Sequence, residues 1–171
     1  MNNPHDLKMT SWGLLVDKSE TSRYSHFSQE DRLLIDERLS QESSRHIKTT
    51  HMTLPTVQIN ERLTALLPTL KNPFEHSLSQ GDIGRRIAQR GETLCRVTGA
   101  SRGSEMKIFD ATGGLCREAQ LMSACGAQVW SCERSLPLYL LSKDALNLAQ
   151  STVKLIFGEA LSKSTMCSSF S

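Results

Sequence analysis

Apolar positions recur with a clear period only in the second half of the chain. In residues 1–80, Ser, Thr, Asn, Gln, His and charged residues dominate, and the spacing supports two helices. Ser28 with Asp31 three residues on is close to a capping box and opens a helix with a narrow stripe of Leu33, Leu34 and Leu39. Val57, Ile59, Leu63, Leu66 and Leu67 fall at helical spacing until Pro68 interrupts them, which predicts a second helix over 57–67. Neither helix buries much alone, so this region is expected to be a poorly ordered, partly helical arm.

From Gly81 the punctuation becomes regular. Ile83, Ile87, Leu94 and Val97 predict one helix or two short ones, ended by Gly99. Met106–Phe109 reads as a strand closed by Asp110, after which come Gly113 and Gly114. Leu115–Cys125 reads as a helix stopped by Gly126. Gln128–Cys132 is a second strand, closed by Glu133. Pro137–Ala149 is a helix with Leu140, Leu141, Ala145 and Leu148 on one face, and Val153–Phe157 is a third strand. Strands and helices alternating in this way form half of an open parallel sheet, with right-handed crossovers placing three strands side by side. The expected fold is therefore α/β, a partial Rossmann-like sheet of about three parallel strands with flanking helices over residues 81–161. Residues 162–171, half of them serine, are expected to form a disordered tail.

Composition narrows the setting. Hydrophobic residues are 38% and charged residues 22% of the 171, enough for one modest core. Twenty Lys and Arg against eighteen Asp and Glu leave +2, so no global basic field announces nucleic acid. The longest apolar runs have four residues, as in Leu138–Leu141, far short of the roughly 18–20 that span a bilayer. No basic stretch followed by an apolar one opens the chain, and five cysteines without C-x-x-C spacing argue against a disulfide framework or a zinc ribbon. A reduced, cytoplasmic setting is the expectation. The five histidines are scattered without ligand spacing, so no metal is expected.

The sharpest chemical signal is Asp110-Ala111-Thr112-Gly113-Gly114-Leu115-Cys116-Arg117-Glu118 between a strand and a helix. Glycine there lets the backbone approach a ligand, and the helix N-terminus presents unpaired N–H groups with a partial positive charge. Glu133, 23 residues after Asp110 at the end of the next strand, is placed to accept hydrogen bonds from both hydroxyls of a ribose. The dinucleotide pattern G-x-G-x-x-G is missing, which disfavours a nicotinamide-binding half-domain. An acid just before the glycines suits S-adenosylmethionine, which carries an ammonium and a sulfonium, and would repel a diphosphate.

At these residues the sequence resembles the small-subunit ribosomal RNA guanine-N2 methyltransferases of the J type, class I S-adenosylmethionine-dependent enzymes. The resemblance runs over roughly residues 85–160. It rests on Arg90-Gly91-Glu92, Asp110-Ala111-Thr112, Gly114-Leu115, Gly126-Ala127-Gln128-Val129, Glu133-Arg134 and Leu141, with Asp144 and Leu146 in register. It implies that Asp110, Thr112, Gly114, Arg117, Glu118, Glu133 and Arg134 hold S-adenosylmethionine, and that small-subunit ribosomal RNA is the partner. The family also uses two serines after its third strand, where this chain has Glu159 and Ala160.

Four departures shape the expectation. Cys116 stands where the family has a third glycine, Glu118 replaces Asp, Pro137 sits one residue late, and the family's D-P-M-F-P acceptor motif has no counterpart. The residues therefore read as the front half of a methyltransferase site. The alternative is a catalytically inactive, truncated remnant that still serves as a cofactor-binding or interaction module. A sheet lacking its fourth strand exposes an edge of the first, which invites self-association. Arg85, Arg86 and Arg90 fit either RNA phosphates or a solvated helix face beside Asp82 and Glu92.

Overall fold

The computed structural model describes residues 12–19, 22–43, 55–89 and 93–158. The chain falls into two compact units, Met1–Glu75 and His76–Ser171.

In the first unit, strands β1 (Gly13–Val16), β2 (Thr56–Ile59), β3 (Leu63–Leu66) and β4 (Phe74–Glu75) make a sheet in that order. β1 runs parallel to β2, and the other pairs are antiparallel. The helix expected over 57–67 is thus a hairpin, Val57 pairing with Ala65 and Ile59 with Leu63. Two features outweigh the helical spacing. Thr56, Val57 and Ile59 are β-branched, and the Asn60 side chain accepts from the Arg62 N–H at 3.0 Å to close the turn. Helix α1 (Gln29–Ser43) starts as expected, the Asp31 N–H donating to Ser28 Oγ at 3.2 Å. Among its described side chains the buried ones are Asp31 and Ile35 rather than the leucine stripe, and Leu33 is 62% exposed.

The second unit follows the predicted order: α2 (Gly81–Ala88), α3 (Thr93–Thr98), a 3-10 turn (Ala100–Glu105), β5 (Lys107–Asp110), α4 (Arg117–Ala124), β6 (Gln128–Glu133), α5 (Leu136–Leu148) and β7 (Lys154–Phe157). The sheet order is β5-β6-β7, all parallel, with Ile108 beside Val129 and Ser131 beside Leu155. Side chains alternate across a strand, so Ile108 and Asp110, Val129, Ser131 and Glu133, and Leu155 and Phe157 share one face. On that face Val129 packs in a core with Leu121 and Met122 of α4 and Ala145 and Leu146 of α5. Complete burial of a leucine such as Leu121 contributes about 1.5–3 kcal/mol, which anchors α4 under the turn that precedes it.

One expectation about cysteine is corrected. Cys95 of α3 and Cys125 at the end of α4 form a disulfide, their Cα atoms 6.5 Å apart. Pairing follows from the packing of α3 on α4, which no spacing of cysteines along the chain encodes. Cys116 and Cys132 are both buried and take no part in that disulfide.

Candidate functional site

Asp110 ends β5, and the chain turns through Ala111–Cys116 into α4. The first half of the turn is tied to Asp110. Its Oδ1 accepts from the Thr112 N–H at 3.0 Å, and its Oδ2 from the Ser131 hydroxyl at 3.2 Å. The second half is tied to Glu133, whose Oε2 accepts from the Gly114 N–H at 2.8 Å. Glu133 Oε1 accepts from the Ser135 N–H at 2.6 Å, and the side chain is 8% exposed. The two carboxylates therefore lie at the same end of the sheet, on the same face, and hold the same turn. A carboxylate offers about four acceptor sites, so each Glu133 oxygen retains capacity for a second donor.

Glycine is required here for two different reasons. A Cβ on Gly113 would sit 2.5 Å from Ser131 Oγ and 3.2 Å from the Cys132 carbonyl oxygen, so the turn lies directly on β6. Gly114 has room, but its φ of 51° is left-handed. Cys116 also has a left-handed φ, 54°, at the position where the family pattern has glycine. Its thiol is buried and contacts Ser131 Oγ at 3.8 Å, and burial pushes its pKa up to about 11. Left-handed residues on either side of Leu115 also explain why α4 begins at Arg117 rather than at Leu115.

The cofactor residues implied by the resemblance are not all placed alike. Asp110, Thr112 and Glu118 line one cleft of about 350 Å³, together with Leu94, Ile108 and Phe109. Gly114 and Glu133 do not line that cleft; they meet through the part-buried hydrogen bond that holds the middle of the turn. Arg117 is 3.0 Å from Asp82 of α2, and Glu118 is 3.8 Å from Arg86, so both join α4 to α2 by ion pairs. Arg134 is exposed beyond the end of β6. Of the basic cluster, Arg85 pairs with Asp82 at 3.3 Å and Arg86 with Glu118, a solvated, ion-paired face. Arg90, Gly91, Glu92, Glu159 and Ala160 lie outside the described residues, as does the serine-rich tail.

Three site residues escape a reading of the sequence. Ser131 bridges Asp110 and Cys116, and its position two residues before Glu133 on one strand face was the available signal. Ser142 of α5, fully buried, donates to the Gly114 carbonyl at 2.8 Å; a serine within an apolar helix face marks it. His76 contacts the Leu115 carbonyl at 2.7 Å through Nε2, and nothing in its neighbourhood announces that contact. Among the described residues, no group of three or more His, Cys, Asp or Glu is arranged to hold a metal. No helix among them is long and apolar enough to cross a membrane.

Comparison with known proteins bears on the same segment. Residues 35–163, three quarters of the chain, match the family described as "Putative SAM-dependent methyltransferase". A protein of Alkalilimnicola ehrlichii named ribosomal RNA small subunit methyltransferase J is 38% identical over 81 residues, covering 46% of this chain and 31% of that protein. Its namesake in Haemophilus influenzae strain PittGG is 34% identical over 103 residues, covering 56% and 39% respectively. The matched stretch thus spans about a third of those relatives' length. A crystal structure of a SAM-dependent methyltransferase from Neisseria gonorrhoeae superposes with a TM-score of 0.60 at 15% identity, over 92% of this chain and 64% of the other. That likeness establishes the Rossmann-like fold.

Proposed function

This chain belongs to the SAM-dependent methyltransferase family, and from that premise we propose that it binds S-adenosylmethionine over the β5–α4 turn and serves methylation of guanine N2 in small-subunit ribosomal RNA. The observation that carries the reading is the double tether of one turn, Asp110 at its start and Glu133 at its middle. The choice of RNA rests on the names of the relatives and on the family motifs.

The residues present fit that cofactor. Asp110 and Glu118 put two carboxylates on the wall of a cleft whose other residues include Leu94, Ile108 and Phe109. A unit charge of opposite sign about 4 Å from a carboxylate gains roughly 1 kcal/mol in water and roughly 4 at an effective dielectric of 20, and a phosphate loses as much. Glu133 has acceptor capacity left for a sugar hydroxyl. The first helical bond of α4 runs from the Gln120 N–H to the Cys116 carbonyl, so the N–H groups of residues 117–119 precede the ladder and point out of the helix start. S-adenosylmethionine supplies a methyl group on a sulfonium that is already a good leaving group. The protein's task is then to bind, orient and exclude water, without general acid–base chemistry.

Isothermal titration with S-adenosylmethionine and transfer of a labelled methyl group to small ribosomal subunits test the proposal. One-to-one binding with label recovered in N2-methylguanine is expected. Absence of binding at millimolar cofactor rejects the site, and binding without transfer favours a cofactor-binding module. The outer edge of β5, which carries no strand among the described residues, is the surface proposed for self-association. Light scattering that shows only monomer would reject it. A cytoplasmic location belongs to the same proposal and rests on the relatives alone, because the Cys95–Cys125 disulfide removes the cysteine argument for a reduced setting.

A further inference from the structure

His76 is the first residue of the second unit and is 9% exposed. Its Nε2 lies 2.7 Å from the carbonyl oxygen of Leu115, thirty-nine residues along the chain. A carbonyl oxygen only accepts, so the ring donates through Nε2–H. The other end of the same peptide unit is also fixed, because the Cys116 N–H donates to the Gly113 carbonyl at 2.7 Å. This peptide leads into Cys116, which is left-handed, and Gly114 before Leu115 is left-handed as well. A left-handed conformation costs a residue other than glycine roughly 1–2 kcal/mol, so Cys116 holds it only where its surroundings require it.

The consequence reaches α4. Cys116 is the N-cap residue, and its side chain makes no capping bond. With no hydroxyl or carboxylate to set the helix start, its direction is fixed by the preceding backbone. The Gly114 N–H is held by Glu133 and the Gly114 carbonyl by Ser142, which leaves the Leu115–Cys116 peptide as the last joint before the helix.

We propose that His76 is a positioning residue for the cofactor: its ring N–H fixes the Leu115–Cys116 peptide and thereby aims the N-terminal N–H groups of α4 at the ligand. The inference rests on the methyl-donor reading above, but its first test needs no ligand.

In wild-type protein, long-range 1H–15N spectra of the histidine rings should show His76 as the Nε2–H tautomer; the Nδ1–H tautomer would overturn the proposal. His76→Gln retains an N–H donor, whereas His76→Phe fills the space without one. Amide exchange at Cys116 should be roughly tenfold faster in His76→Phe, as expected for loss of one hydrogen bond near a buried group, and close to wild type in His76→Gln. Core amides such as Val129 should be unchanged in both. S-adenosylhomocysteine affinity should fall roughly tenfold in His76→Phe and recover in His76→Gln. Equal acceleration at Cys116 and Val129 would reduce His76 to a packing residue and overturn the proposal, as would unaltered exchange at Cys116. If the wild type binds no ligand, the methyl-donor reading fails, while the tautomer and exchange results still decide the contact itself.

Discussion

The N–H of Gly114 donates to the buried carboxylate of Glu133 across 2.8 Å, joining the end of β6 to the turn that follows β5. The other oxygen of the same carboxylate takes the Ser135 N–H at the start of α5. One side chain thus sets the relative placement of two helix entrances. In Glu133→Gln the amide nitrogen must face one of these N–H donors. The expected loss is about 1.5–3 kcal/mol of stability, the range for hydrogen bonds to a charged group, read by urea denaturation. Cofactor affinity should fall with it.

Substitutions along the turn should separate space from backbone conformation. Gly113→Ala places a methyl against Ser131 and the β6 backbone, and an overpacking cost of about 1–3 kcal/mol is expected. Gly114→Ala meets no close atom, so only its left-handed φ counts, about 1–2 kcal/mol. In Cys116→Gly the same backbone relief opposes the loss of a small buried side chain, and a net change within about 1 kcal/mol is expected. Thermal unfolding of the three variants should rank them in that order.

Stability should also depend on pH at both ends of a plateau. Burial lowers the pKa of His76 below its usual 6.5, with the nearby Arg117 charge adding to the effect. The unfolded chain therefore binds the proton more readily, and stability is lost as pH falls below about 6.5. Burial raises Cys116 from 9.0 to about 11, so the folded state keeps a proton that the unfolded state releases. Stability present below pH 9 should decline as pH rises toward 11, by about 2–3 kcal/mol. Cys116 should also resist alkylation at pH 8 in the native protein, because the thiolate is the nucleophile. A melting temperature that is flat from pH 5 to 10 would contradict both assignments.

The Cys95–Cys125 disulfide closes a loop with a sequence separation of 30. Chain-entropy arguments give about 3–4 kcal/mol for a loop of that size. Reduction, or Cys95→Ala, should lower the denaturation midpoint accordingly. A non-reducing gel of the intact protein should show the compact, cross-linked form.

The second unit was largely legible because its signals are local. Short apolar runs ended by Asp110 and Glu133, glycines after the first, and a helix stopped by Gly126 each report on neighbouring residues. The sharing of one sheet face by Asp110 and Glu133 follows from strand alternation once parallel order is assumed. The hairpin of β2 and β3 is not legible locally, because Val57, Ile59, Leu63 and Leu66 satisfy a helical spacing nearly as well as an alternating one, and only sheet pairing decides between them. The contacts of His76 with Leu115 and of Cys95 with Cys125 join segments 39 and 30 residues apart, and packing alone creates them.

We propose that the turn between β5 and α4 cradles S-adenosylmethionine. Backbone amide resonances followed during titration with S-adenosylhomocysteine test it most directly. Saturable shifts concentrated at Thr112, Gly114, Arg117, Glu118 and Arg134 are expected. Saturable shifts that avoid this turn, or no shifts at millimolar ligand, would contradict it.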